Sequence, residues 1–284
     1  MQLQNDINVR HLSLSSASNG TCNVSNQRRA ASRVAVDELH DEIIEDSCFL
    51  KRYGYNIRIA SPLGLNARGA LIKRMYSWRG YHTEGTTASS RNQTTLEAFK
   101  GTNLVGTLTL ALDSKDRLLA DELYGRELNA FRVKNRKLCE LSKLAIDPEY
   151  SSKELLASLF NVAYIYGRTI HCASDFVIEV NPRHSGYYKR VLGFEEIGET
   201  RICPRVNAPA VLLHLELQYV DAQVSLLAGS REPRERSLYP YFLPKHEEKK
   251  VANRACRSLD RLAEQQCYRG RGLDAQLHLA AFCG

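Results

Sequence analysis

The stretch Leu138-Cys-Glu-Leu-Ser-Lys-Leu-Ala-Ile146 constrains the fold more than any other part of the chain. It alternates as a strand does, but one face carries Glu140 and Ser142 between Leu138 and Leu144, where a buried sheet face would be apolar throughout. Asp147-Pro148 ends the strand. Ser151-Ser-Lys-Glu154 then fits a capping box, and Leu155, Leu156, Leu159, Phe160, Ala163 and Tyr166 follow at helical spacing. A strand bearing an acid therefore runs into a helix N-terminus, where free backbone N–H groups attract phosphate.

The rest of the chain supplies neighbours for that unit. Tyr55 to Ala60 reads as a strand, and Leu65, Leu71, Ile72, Met75 and Trp78 mark a helix that also carries Arg68, Lys73 and Arg74. Residues 80–93 are polar throughout and long enough for a lid. Thr94–Phe99 and Leu104–Leu112 form a hairpin about Lys100-Gly-Thr-Asn103, ending in Asp113. A helix follows through Leu119, Leu123, Leu128 and Phe131. Beyond the central unit come a strand at Asp175–Val180, a turn at Asn181-Pro182, a short helix about 184–192, and strands about 194–203 and 210–218. This order builds a mixed sheet flanked by helices, in the α/β (α+β) class.

Three regions follow from composition. Residues 1–46 are rich in Ser, Asn and Gln and read as a disordered leader, and 47–220 form the folded domain. Residues 221–284 read as a basic, partly helical tail, with one helix from Val251 to Cys267. That tail is too poor in apolar residues to fold alone, so it is expected to pack on the core or on a partner.

Charge and cysteine usage narrow the function classes. The eight cysteines include no Cys-x-x-Cys, which suits reduced thiols of a cytoplasmic protein and offers no metal site. No stretch approaches the ~20 apolar residues that span a bilayer, although a peripheral membrane contact stays open. Residues 51–220 hold 24 Lys/Arg against 17 Asp/Glu, whereas residues 1–50 hold 4 against 7. The basic core suits an acidic partner, a phosphorylated cofactor or a solvated surface; with no aromatic-and-basic motif, nucleic acid is not expected.

The segments Val105-Gly-Thr-Leu-Thr-Leu-Ala-Leu-Asp-Ser114, Leu138-Cys-Glu-Leu-Ser-Lys-Leu-Ala-Ile-Asp147 and Val180-Asn-Pro-Arg-His-Ser-Gly-Tyr-Tyr-Lys-Arg-Val-Leu-Gly-Phe194 together resemble the long-chain N-acyl amino acid synthases. These are acyltransferases of the GNAT fold and look like relatives of the acyl-homoserine lactone synthases. The resemblance covers roughly residues 50–218. It implies a GNAT-like three-layer fold and transfer of a fatty acyl group to the amino group of an amino acid. The donor it implies is the acyl-phosphopantetheine of acyl carrier protein, or acyl-CoA, with no permanently bound cofactor.

Thioester aminolysis needs a neutral amine, so an acid with a pKa raised by burial must accept a proton. Glu140, on a strand face among leucines, suits this role, and the resemblance puts the base of the lactone synthases in the same strand. Ser142 and Lys143 beside it are candidate substrate contacts. Lys143 stands where those relatives often have Arg, and lacks the bidentate fork. Asp113 is a candidate for the substrate ammonium, with a plain turn former as the alternative. By the same resemblance Tyr188 protonates the departing thiolate. His184 is a possible second acid or base, while Arg183 and Arg74 are candidates for a carboxylate or phosphate.

Where acetyl-CoA enzymes of this fold carry a glycine-bearing phosphate loop, this chain reads Asp147-Pro-Glu-Tyr-Ser-Ser-Lys153. Ser151, Ser152 and Lys153 suffice for the single phosphate of a pantetheine arm, which favours a carrier-protein donor. An acetyl-CoA-dependent N-acetyltransferase, a lactone synthase using S-adenosylmethionine and a non-catalytic acyl- or carrier-binding module remain the alternatives. The amino acid, the chain length, the oligomeric state and the work of the tail are left open.

Overall fold

The strands of the sheet are β1 (Cys48–Arg52), β2 (Tyr55–Ile59), β3 (Gln93–Lys100), β4 (Asn103–Leu112), β5 (Leu138–Ile146), β6 (Asp175–Val180), β7 (Glu195–Glu196), β8 (Arg201–Cys203) and β9 (Ala208–Glu216). They come from a computed structural model that describes residues 48–60, 64–81, 92–230 and 234–257. The leader expected over 1–46, most of the 80–93 loop, and the C-terminal helix beyond residue 257 lie outside the described residues. The spatial order is β1-β2-β3-β4-β5-β6-β9, and β7 and β8 both pair with β9.

Neighbours are antiparallel except β5 and β6, so the sheet is mixed. A parallel pair cannot be joined by a hairpin. Here the crossover is α3 (Lys153–Tyr164), the helix expected after the central strand. Its N-cap is Ser152, whose side chain accepts from the Leu155 N–H at 3.1 Å, one residue later than the capping box suggests.

Helices cover both faces. On one, α1 (Leu65–Trp78) packs Leu71, Ile72 and Met75 on Ala145, while α2 (Asp121–Val133) packs Tyr124 and Leu128 over Leu138, Val177 and Leu212. On the other, α3 joins α4 (Pro182–Leu192) and α5 (Leu217–Leu227) in the main core, through Leu155, Leu159, Val191, Leu192, Val220 and Val224. This is the GNAT-like three-layer arrangement. Two elements were not foreseen: β1, and α5, which lies where the apolar pattern looked loose. The strand expected at 194–203 is split into β7 and β8.

The residues after α5 also enter the main core. Leu238, Tyr239, Phe242 and Leu243 are buried there, as are Val251 and Ala255 on a helix over 245–257. The Leu238 N–H donates to the Val191 carbonyl at 2.9 Å, and the Tyr239 hydroxyl donates to the Leu192 carbonyl at 2.5 Å.

Sequence alternation fails at one point. Thr107 pairs with Ala145 and Thr109 with Ser142, so β5 has one more residue than β4 between the two pairs. The extra residue forms a β-bulge in which Lys143 takes a left-handed φ of 50°. A bulge reverses the side-chain parity beyond it. Ala145 therefore packs under α1, and Leu144 turns to the α3 side rather than sharing a face with Glu140 as simple alternation predicts.

Candidate active site

The bulge stands where the sheet opens. The ladder between β5 and β6 ends at the pair Leu141↔Ile178, although the strands run on to Ile146 and Val180. Thr107 Oγ1 donates to the Lys143 carbonyl at 3.0 Å and holds the bulge in place. A left-handed non-glycine residue costs on the order of 1 kcal/mol or more, a strain that folds tolerate where it shapes a site.

Glu140 lies just before this opening and is 2% exposed. Its Oε2 accepts from the Leu119 N–H at 2.7 Å. Burial pushes its pKa up to about 7, helped by the Glu179 charge and opposed by the nearby backbone N–H groups of Leu119 and Ala120 and by Arg205. Near neutral pH such a group is part carboxylate and can take a proton.

The Ser142 hydroxyl is buried with no hydrogen-bond partner among the described residues. An unsatisfied polar atom beside an opened sheet edge is a natural contact for a ligand. Lys143 Nζ donates to Gln93 Oε1 at 3.4 Å, and burial first, then the nearby Arg68 charge, holds its pKa below the usual lysine range.

A second group of side chains forms where the end of α1 meets the start of α4. Asn181 caps α4, accepting from the Arg183 N–H at 3.2 Å, and Pro182 takes the first helical position. Tyr188 meets Phe160, Tyr187 and Phe194 in tilted and edge-on ring contacts. Burial holds its phenol protonated, far above the usual range. Arg183 Nε donates to His184 Nε2 at 3.2 Å and Nη2 to the Tyr81 hydroxyl at 3.0 Å. His184 is kept below the usual imidazole range by burial, Arg183 and Arg79, so its ring is a neutral acceptor.

Tyr76, near the end of α1, meets the Tyr81 ring edge-on. Burial pushes its phenol up to about 12, and Glu179, Arg205 and Tyr188 are within its electrostatic reach.

The start of α3 forms the third part. Ser151 and Lys153 are exposed there, while Ser152 is occupied as the cap. Arg74 pairs with Asp147 at 2.5 Å, which brings the exposed side of α1 against the loop leading into α3.

Two residues singled out in the sequence are employed elsewhere. Both oxygens of Asp113 are taken by Arg132, at 2.6 and 2.8 Å, and the same guanidinium grips Asp121. This network ties α2 to the end of β4 and leaves no oxygen of Asp113 facing an ammonium without competition. Arg68 turns inward to Glu97 at 2.8 Å, anchoring α1 on β3. In the other direction, Glu179, Arg205 and Tyr76 were missed. Glu179 did leave a signal, an acid within the apolar run Phe176-Val-Ile-Glu-Val180, but Arg205 sits in the turn between β8 and β9 and left none. No three His, Cys, Asp or Glu side chains among the described residues are grouped to hold a metal ion.

No curated protein matches the chain. Among solved structures, FeeM, an N-acyl amino acid synthase from uncultured soil microbes, is 29% identical over 58% of this chain and 92% of its own, with a TM-score of 0.54. An N-acetyltransferase from Staphylococcus aureus Mu50 is 12% identical over 58% of this chain and 98% of its own, with a TM-score of 0.42. An aminoglycoside N(6')acetyltransferase from Legionella pneumophila is 14% identical over 61% and 98%, with a TM-score of 0.44. The N-acyl amino acid synthase FeeM family matches residues 67–216, more than half of the chain, and the protein belongs to that family of acyltransferases.

Proposed function

We propose that the protein joins a long-chain fatty acyl group, carried as a thioester on the pantetheine arm of acyl carrier protein, to the amino group of a free amino acid. The observation that carries this reading is Glu140: a carboxyl buried at the opened edge of β5, with a pKa pushed up to about 7. A carboxylate with an ordinary pKa would be a poor base at neutral pH.

In the proposed reaction the Glu140 carboxylate takes a proton from the substrate ammonium, directly or through one water. The freed lone pair attacks the thioester carbonyl carbon, a C–N bond forms, and the carbonyl electrons move onto oxygen. As the intermediate collapses the C–S bond breaks, the Tyr188 hydroxyl supplies the proton that leaves pantetheine as a thiol, and the nitrogen gives up its second proton to water, from which Tyr188 is reprotonated. Its raised pKa guarantees a protonated phenol at working pH, at the cost of a weaker acid. Ser142 is suited to the substrate through its unpartnered hydroxyl, and Lys143, Arg183, His184 and Arg74 are assigned to the substrate's carboxylate side. Asp113 is left out because Arg132 holds it.

Ser151, Ser152 and Lys153 are proposed to receive the pantetheine phosphate at the start of α3, a 12-residue helix. The absence of glycine from 147–153 favours a donor with one phosphate over the diphosphate of CoA. We assign the reaction to the cytoplasm; the free thiols of Cys48, Cys139, Cys172, Cys203 and Cys256 accord with that, and no helix among the described residues is long and apolar enough to cross a membrane.

The test is to incubate the protein with C14- or C16-loaded carrier protein, or the corresponding acyl-CoA, and the twenty amino acids, and to read products by mass spectrometry. Acyl amides of one or a few amino acids, formed faster from carrier protein, are expected. Faster turnover with CoA would overturn the donor, and no acyl amide from either would overturn the reading itself.

A further inference from the structure

Arg205, in the turn between β8 and β9, ties three elements together. Its Nη2 donates to both oxygens of Glu179 on β6, at 2.9 and 2.8 Å. Its Nη1 donates to the Leu119 carbonyl at 3.0 Å and to Glu122 on α2. The N–H of the same residue, Leu119, donates to Glu140 Oε2 at 2.7 Å. Leu119 is thus held at both of its backbone groups, its carbonyl by a guanidinium and its N–H by the proposed base.

Glu140 and Glu179 share a sheet face, Glu140 opposite Val177 and Glu179 two residues further along β6. Two carboxylates so close disfavour each other's ionised forms unless one is neutralised.

We infer that Arg205 is a positioning residue for Glu140: it fixes Leu119, whose N–H bonds the Glu140 carboxylate, and neutralises Glu179, so that of these two acids Glu140 is the uncompensated one at the opened edge. The inference rests on the role proposed above for Glu140. The other charged or titratable groups around Glu140 are Lys143 and Cys139 on β5 and Glu122 beyond Arg205. His214, on the same sheet row past Val177, is engaged by Asp175 at 2.7 Å. None of these accounts for Glu179.

The two partners therefore act on Glu140 with opposite sign. Arg205→Gln removes a cation and exposes the Glu179 charge, both of which favour protonated Glu140. Glu179→Gln removes an anion and leaves the cation, which favours the carboxylate. A merely structural role would not give opposed shifts.

The experiment labels glutamate side-chain carboxyls with carbon-13 and follows their titration by NMR in the full chain, with the Glu140 signal identified as the one missing from Glu140→Gln. The Glu140 midpoint is expected to rise in Arg205→Gln and fall in Glu179→Gln, each by on the order of one pH unit, and to return toward the wild-type value in the double variant. Arg205→Lys, which keeps charge without the fork, should stay near wild type. Shifts in the same direction, or no shift beyond about 0.3 unit in either variant, would overturn the inference. Should Arg205→Gln fail to fold, a Glu179→Gln midpoint that does not fall is enough to overturn it. Full acyl transfer by Glu140→Gln would instead remove the base role while leaving these titrations as they stand, so the two failures are told apart.

Discussion

Glu140 and Asp175 are buried acids on neighbouring strands, two residues apart along the sheet, and their surroundings treat them in opposite ways. Burial acts to raise both. At Asp175, 0% exposed, hydrogen bonds from His214, Arg136 and Ser174 outweigh burial and hold the carboxyl well below the usual range. Glu140 receives only backbone N–H groups, and burial wins. Two carboxyls equally closed to solvent contact thus become a permanent anion that fastens β6 to β9, and an acid that gains and loses its proton near neutral pH. What marks the structural carboxylate here is the set of side-chain donors turned toward it, which the candidate base lacks.

The strongest way to break this contrast is through activity. Glu140→Gln should lower acyl-amide formation on the order of a thousandfold without lowering the thermal midpoint, the turnover being measured with acyl carrier protein by mass spectrometry. A variant that keeps most of its activity would make Glu140 one more core acid. Tyr188→Phe comes next, with kcat falling on the order of a hundredfold and KM little changed, since the hydroxyl is needed only when the thiolate leaves.

The two acids should also leave opposite marks on stability. The folded-state pKa of Glu140 lies above its unfolded value, so the folded state binds the extra proton, and stability falls as pH rises from about 4.3 to about 7. Glu140→Gln should lose that slope and gain about 3 kcal/mol on wild type at pH 8, read by denaturant unfolding at several pH values. Asp175 is depressed, so its contribution is present above the unfolded value of about 3.9 and is lost as pH falls through the lower folded value. Asp175→Asn should cost about 2–3 kcal/mol at pH 7, with the gap to wild type closing in strong acid. Parallel curves for the two variants would dissolve the contrast. The smallest effect is expected at the mouth: Lys153→Ala should raise KM for acyl carrier protein by only about two- to fivefold, with a steeper loss at higher salt, because both charges there are solvated.

Much of the frame was readable from residue order. The interrupted alternation at Glu140, the β3–β4 hairpin and the Asn181-Pro182 helix start are local signals, fixed by strand pleat and capping chemistry. The bulge was not readable, because nothing in Ser-Lys-Leu marks Lys143 for a left-handed backbone; glycine or asparagine would have. That one residue moved Leu144 to the opposite face. The partner of Asp113 was not readable for a related reason: a strand-end acid is a turn former or a ligand contact until the helix that brings Arg132 to it is known. Arg205 meets Glu179 across 26 positions of sequence, and only the pairing of β9 with β6 brings them together.

The segment after α5 closes the far end of the helix that bears Tyr188. Every α-helix ends with carbonyls that lack donors, and here Leu238 and Tyr239 supply donors to the last two of α4. A chain shortened before Leu238 would therefore do more than shed a tail: it would unfasten the proposed proton donor from behind. Turnover should then drop even at temperatures where circular dichroism reports an intact sheet, and undiminished turnover would show that α4 needs no such latch.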